Sequence, residues 1–326
     1  MIITRTPLRI SLGGGGTDVP SYYRNGTDGG FLVAAAIDRH VYIALNRNFD
    51  GNLLLKYSET ERADKPEQVD HPLLREALLL ADVDRGIEIS AMADVPAGTG
   101  LGSSGAFTVG VLRALLTYRR RTVSPRQLAE MACEVEINRL GAPVGKQDPY
   151  IASVGGVTAF GFTPDERVAI TAVSMADDIR DRLEENLLLF FTGVRRSAAD
   201  ELSSFDTDMA TPGAYRSNLD AVRDLGLASR DALEAGDLEL FSTLLSRQWE
   251  LKYERAPSAV HDQIDSWIRV GLGAGATGGK LVGAGGGGFL LFYAEHRNSV
   301  REALANLGLD EVRFHFDYHG STTIVG

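Results

Sequence analysis

The chain has 326 residues, enough for two domains with separate cores, and 44% hydrophobic with 24% charged residues is the balance of a water-soluble globular protein. A formal net charge of −11 argues against nucleic acid as a partner, so any anionic ligand has to be held by local positive groups. The single cysteine, Cys133, rules out an internal disulfide and suits a reducing compartment. No signal peptide opens the chain and no apolar run approaches the ~18–20 residues of a membrane span, so a cytoplasmic protein without a membrane partner is expected.

Residues 2–12 read as a strand with Leu8, Ile10 and Leu12 on one face and Arg9 and Ser11 on the other. It runs into Gly13-Gly-Gly-Gly-Thr-Asp18, where four glycines allow close backbone approach to a ligand and two short polar side chains follow. A second strand is expected over 31–45, and the polar stretch 46–70 reads as a hairpin and loop without a functional signal. Ile87, Ile89, Ala91, Ala93 and Val95 then alternate with mostly polar neighbours, the period of a half-buried strand. Pro96-Ala-Gly-Thr-Gly-Leu-Gly-Ser-Ser-Gly105 follows, and Ala106 to Leu116 has helical character.

Strand, glycine-rich loop and helix N-terminus together make an anion site. Glycines let backbone N–H groups converge, the helix dipole adds partial positive charge, and Ser103 or Ser104 can reach a phosphate or a metal. The plainer alternative is a turn. Gly100 to Gly105 also fits G-x-G-x-x-G, but Arg119, Arg120 and Arg121 stand where a dinucleotide fold needs an acid about 20 residues on. No G-x-x-x-x-G-K-[ST] occurs, so ATP on this loop would be held without a P-loop lysine.

Ser124-Pro-Arg-Gln127 is a helix start with a capping box, and the helix presents Leu128, Met131, Ala132 and Val135 inward. At ~100° per residue Glu136 lies about 40° beyond Ala132, at the margin of that stripe, either a surface group or a ligand. After Gly141, the irregular Gly-Ala-Pro-Val-Gly-Lys-Gln-Asp-Pro149 carries Lys146 and Asp148, a surface ion pair or part of a site. Asp148 is the best carboxylate for taking a proton from a substrate hydroxyl. A strand over 155–160 follows.

Residues 183–193 look like a turn into a strand over 187–192. Amphipathic helices are expected at 215–235, 238–254 and 258–273. Gly283-Ala-Gly-Gly-Gly-Gly-Phe289 leads into the strand 290–293, and a helix (297–307) and strand (311–318) close the chain. Without a strict βαβ repeat the class is α+β.

The three glycine clusters in this order, Pro7-Leu-Arg9 with Gly13 to Asp18, Pro96 to Ser104 and Gly283 to Phe289, resemble the three motifs of the GHMP small-molecule kinases. The resemblance spans the chain. It implies an N-terminal ATP-binding domain of the ribosomal-protein-S5 type over 1–183 and a ferredoxin-like C-terminal domain over 184–326. ATP would lie against Pro96, Gly98, Gly100, Leu101, Gly102, Ser103 and Ser104, and Mg²⁺ against Ser103 (or its neighbour Ser104) and Glu136. Asp148 would act as base or orienting acid, with Arg9 near the transferred phosphate. Gly14, Gly15, Gly16, Thr17 and Asp18 would face the sugar, and Gly283 to Gly288, with Gly285 and Gly286 at the substrate, would lie near the substrate and the phosphates and shape the cleft.

Within the superfamily, Gly-Gly-Gly-Thr-Asp18, Gly145-Lys-Gln-Asp148, Phe191-Thr-Gly-Val-Arg-Arg-Ser-Ala198 and Trp249-Glu-Leu-Lys252 resemble the bacterial D-glycero-D-manno-heptose 7-phosphate kinases. That implies phosphorylation of an anomeric hydroxyl, with Lys146 at the substrate and Arg195, Arg196 and Lys252 as candidates to hold its distal phosphate, Arg196 first and Lys252 second. Fucokinase- or galactokinase-like action on an unphosphorylated sugar is the alternative, and a non-catalytic regulator on the same scaffold is another. The Gly-Glu-His-Thr-Asp of galactokinases is Gly-Gly-Gly-Thr-Asp here, which weakens galactose. A homodimer is compatible with this reading.

Overall fold

The computed structural model describes residues 1–26, 28–194, 212–255, 258–283 and 285–326. Two long antiparallel strands, β1 (Ile2–Gly13) and β2 (Gly30–Arg47), form the spine of an eight-stranded sheet. On one flank β5 (Ile87–Ala93) pairs with β2 and is followed outward by the hairpin β3 (Leu53–Lys56) and β4 (Thr60–Ala63). On the other half of β2, β6 (Val157–Phe162) pairs with it and β7 (Val168–Ala172) with β6. Alternation places Leu8, Ile10 and Leu12 of β1 wholly inside. A helix, α3 (Ser103–Tyr118), covers that face with Val109, Leu112 and Leu116 buried, each worth about 1.5–3 kcal/mol of apolar transfer. It lies close because Gly110 has no side chain: a Cβ there would come within 3.0 Å of Thr6 Oγ1 and 3.2 Å of Ile43. Around it stand α2 (Pro72–Ala81), α4 (Pro125–Cys133) and α5 (Gln147–Val154), α1 (Pro20–Tyr23) being one short turn.

The helix α6 (Asp177–Asn186) runs directly into β8 (Leu187–Phe191) of a second, four-stranded sheet with β9 (Gly278–Val282), β10 (Phe289–Tyr293) and β11 (Asp310–Glu311). Its order, β11-β8-β10-β9, is that of a βαββαβ ferredoxin-like unit, as expected. The three amphipathic helices are present as α7 (Pro212–Ala235), α8 (Leu238–Arg255) and α9 (Ala259–Gly273), and α10 (Arg297–Ala305) precedes β11. The class is α+β, in the two-domain arrangement the motifs implied.

Three features depart from the sequence reading. Helix α6 has only Ile179 and Leu183 as apolar residues among ten, too few to show a stripe, so its helical period is invisible. The expected strand over 311–318 is replaced by the short β11, an isolated bridge between Phe316 and Ile37, and a separate β12 (Thr322–Val325). Strand β12 pairs with β1 in the first sheet, and α7 packs on the same sheet, where Gly226 sits so close to Gly14 that a Cβ would be 3.0 Å from its Cα. All four strands of the second sheet lie after residue 183, whereas α7 and β12, also after it, lean on or complete the first.

Candidate active site

The loop between β5 and α3 turns through left-handed backbone at Gly98 (φ +75°), Gly100 (φ +81°) and Gly102 (φ +76°), conformations that disfavour any residue with a Cβ. Gly102 is the N-cap of α3, so the first N–H groups of that helix open toward the loop. The last glycine cluster presses on it from the second sheet: a Cβ on Gly283 would lie 2.6 Å from Gly100 Cα, and one on Gly288 2.1 Å from the Thr99 carbonyl oxygen. Pro96 and Leu101 serve the loop's own shape. Pro96 O accepts from Thr99 Oγ1 at 3.0 Å, and Leu101 is buried with its carbonyl accepting from Arg9 N at 3.0 Å.

A cavity opens over this loop. Gly98, Gly100, Gly102, Ser103 and Ser104 line it, with Gly285 to Gly287 facing them and Val41, Tyr57, His71, Met92 and Phe107 forming an apolar wall. The His71 ring meets Tyr57 edge-on at 4.6 Å between centroids and Phe107 at 5.2 Å, and burial pushes its pKa down, favouring the neutral ring. A glycine-rich helix N-terminus, which suits an anion, joined to an aromatic slot is a shape suited to a nucleotide.

Beside the helix start, Ser104 Oγ donates to Glu136 Oε1 and Thr108 Oγ1 lies 3.3 Å from the same oxygen. Glu136 is buried because α4 continues as a π-turn, Glu134–Arg139, whose wider winding moves it from the stripe's margin into the interior. Burial chiefly, opposed by the Ser104 hydrogen bond and reinforced by the Asp148 charge, pushes its carboxyl up to about 7. Of the two serines it is Ser104, and not Ser103, that meets Glu136. Among the described residues no cluster of three His, Cys, Asp or Glu side chains converges.

Arg9 and Asp148 form the junction of the molecule. Arg9 Nε and Nη2 donate to the two carboxylate oxygens of Asp148 at 2.6 and 2.9 Å, a bidentate pair, while Nη1 donates to Gly100 O at 2.5 Å. Both residues also line a second cavity on the other side, with Ser11, Gly15, Gly16, Asp18, Gln147, Lys252 and Lys280. Asp18 is buried there and accepts from Gln147 N at 2.9 Å and Gly16 N at 3.2 Å. Burial raises its pKa against those two donors, and the charge of Asp148 adds to the rise.

The family model of the GHMP kinases N terminal domain matches residues 71–156, and that of the GHMP kinases C terminal matches 229–309. The chain belongs to the GHMP kinases. A D-glycero-alpha-D-manno-heptose 7-phosphate kinase of Campylobacter jejuni is 26% identical over 306 residues, spanning 90% of this chain and 89% of its own. A galactokinase of Pyrococcus furiosus is 25% identical and covers 88% of this chain and 87% of its own. Among solved structures, a D-glycero-D-manno-heptose 1-phosphate kinase from Bacteroides thetaiotaomicron superposes with a TM-score of 0.80 at 25% identity, over 99% of this chain and 98% of that one. This GHMP kinase is a sugar kinase, a phosphotransferase with an alcohol group as acceptor.

Several side chains of the kinase stand elsewhere than its sequence suggests. Lys146 turns away from the second cavity: its ammonium bonds Glu166 Oε2 at 2.5 Å and lies 5.0 Å from the Tyr23 ring. Thr17 is fully buried and its hydroxyl is occupied by Gly14 O at 2.9 Å and Phe31 O at 2.8 Å. Gly14 packs on Phe31, where a Cβ would be 2.2 Å from the carbonyl oxygen. Lys146, Thr17 and Gly14 thus brace the cavity, and Gly15, Gly16 and Asp18 line it. Gly285 and Gly286 line the first cavity, over the 98–104 loop, and not the second one. Lys252 does line the second, and donates to Gly283 O. Arg195 and Arg196 lie outside the described residues. The sequence reading gave no role to Tyr57 and His71, which line the first cavity, or to Ser11, Gln248 and Lys280, which line the second. Lys280 alone had a legible signal, a lysine in the run Gly278-Gly-Lys-Leu-Val282, whose other residues are small or apolar.

Proposed function

We propose that this sugar kinase transfers the γ-phosphate of MgATP to the anomeric hydroxyl of a sugar phosphate, D-glycero-D-manno-heptose 7-phosphate, giving the 1,7-bisphosphate. The observation that carries the reading is the Arg9–Asp148 pair, among the described residues the one charge pair that lines both the loop cavity and the second cavity. ATP on the loop and an acceptor in the second cavity would meet across it. The likeness to heptose phosphate kinases supports the choice of acceptor.

In this reading Asp148 accepts the proton of the acceptor hydroxyl as its oxygen bonds the γ-phosphorus and the bond to the ADP oxygen breaks. Arg9 holds the carboxylate in place and adds positive charge where phosphoryl oxygens pass. Asp18, fixed by two backbone N–H groups, orients sugar hydroxyls. The buried Glu136, with hydroxyl partners and no basic side chain paired to it among the described residues, fits a cation, and Ser104 with Glu136 would hold Mg²⁺, the other ligands being water and ATP phosphate. Bound there, Mg²⁺ supplies charge neutralisation of the phosphates.

ADP release measured across sugars and sugar phosphates, with mass spectrometry of the product, tests the proposal. Turnover confined to an unphosphorylated sugar such as fucose or galactose defeats the heptose assignment, and release of no ADP with any acceptor defeats the catalytic reading. A second expectation concerns pH. A carboxyl raised from 4.5 to about 7 must lose its proton to take a dication. At pH 6, one unit below, the Mg²⁺ concentration for half-maximal rate should be about tenfold higher than at pH 8. Glu136→Gln should remove the part of that dependence not owed to ATP itself. A wild-type requirement with the same pH profile as the variant excludes Glu136 as the ligand.

A further inference from the structure

Lys280 stands at the centre of β9, a strand whose five residues are all buried. Among the described residues its ammonium makes one hydrogen bond, to Gln248 Oε1 at 3.0 Å, and no carboxylate lies within ion-pairing distance of it. Burial chiefly, with the like charge of Arg9 added, pulls the amine from 10.5 down to about 7. A buried ammonium without a counter-ion is costly, and an apolar residue of similar length would suit this strand better. Yet the side chain lines the second cavity. Arg9 is neutralised there by Asp148, whereas Lys280 has two N–H groups left to donate. Ser11, two residues on from Arg9 along the same face of β1, lines the same cavity, and its buried hydroxyl has no partner among the described residues. Two unused donor groups, one of them cationic and uncompensated, thus border the space assigned to the acceptor.

We propose that Lys280 is the specificity-determining residue of the acceptor cavity: its ammonium, with the Ser11 hydroxyl, binds a phosphate monoester carried by the acceptor and so selects phosphorylated over neutral sugars. The proposal rests on the reading of this cavity as the acceptor site, and it names the group that recognises the charge. The acceptor phosphate supplies the anion that the folded chain lacks at Lys280, and the amine is held charged by it.

The test is the selectivity ratio, kcat/KM for D-glycero-D-manno-heptose 7-phosphate over kcat/KM for the unphosphorylated heptose, in wild type and in Lys280→Met. Loss of a charge-assisted contact to a dianion should lower that ratio by about 10–150-fold, with the loss in KM for the phosphorylated sugar. Lys280→Gln, whose amide can still donate to Gln248 Oε1, serves the same comparison should the Met variant not fold. A variant that keeps the wild-type ratio overturns the inference alone. A fall in kcat equal for both sugars also overturns it, since the amine would then act at the reacting hydroxyl. Wild-type preference for the unphosphorylated heptose overturns the substrate reading and this inference with it.

Discussion

Asp148→Asn is expected to lower kcat by roughly 10²–10⁴-fold, with a much smaller change in KM for either substrate. The shape of the side chain is kept, so the loss isolates its charge. Asn offers one acceptor oxygen where Arg9 now finds two, at 2.6 and 2.9 Å, and turns an amide N–H₂ toward a guanidinium that can only donate. Arg9 is not released by this, because its Nη1 still donates to Gly100 O and its backbone N–H to Leu101 O. The phosphate loop should therefore hold its form, and the deficit should appear in turnover. Steady-state kinetics with ATP and acceptor varied separately, on protein shown by thermal melting to be folded, decide the matter. A variant with near-native kcat is incompatible with Asp148 as the base, and a deficit wholly in KM would make it a binding group.

The parts of this site that the sequence shows are those whose chemistry is local. Glycines forced to positive φ at 98, 100 and 102 can be seen because few other residues adopt that backbone, and a helix start capped by Ser124 and Gln127 can be seen because both partners lie within four residues. What escapes is set by the fold. Glu136 was placed at the margin of its helix because the wheel assumes 3.6 residues per turn, and the π-turn over 134–139 breaks that assumption where the carboxylate enters the interior. Lys146 and Asp148 look like partners in sequence. Their side chains diverge, to Glu166 and to Arg9, 20 and 139 positions distant. Tyr57 comes from the stretch 46–70, which reads only as a hairpin and loop, and His71 stands just beyond it; the wall they form depends on Phe107 arriving from another helix. Lys280 is the same lesson in reverse: a charge in a buried strand looks like an exception to the pattern until the cavity beside it is seen.

Gly102→Val should reduce kcat/KM for ATP by roughly 10²–10³-fold, and the structure says that the damage reaches beyond ATP binding. Two costs combine. The first is backbone strain, since φ is +76° and a β-branched residue there costs on the order of 1–3 kcal/mol. The second is direct contact. A Cβ at position 102 would stand 3.0 Å from Asp148 Cγ and 3.1 Å from Arg9 Cγ, tighter than ordinary van der Waals distance to both members of the pair, and the two γ-methyl groups of valine extend further. The pair that both cavities share must then move, and a displacement of ~1 Å at a reacting centre can by itself cost about 10²-fold. Loss of kcat should therefore accompany loss of ATP affinity. Gly141→Ala separates the two costs. Gly141 also has positive φ, +62°, but a Cβ there meets nothing within 4 Å. That variant should lose about 1 kcal/mol of stability through strain alone and keep the kinetic constants of the wild type. Equal kinetic losses in the two variants would mean that backbone strain, transmitted through the fold, accounts for the effect. A Gly102→Val enzyme with impaired ATP binding but native kcat would mean that the loop holds the nucleotide without setting the position of Arg9 and Asp148.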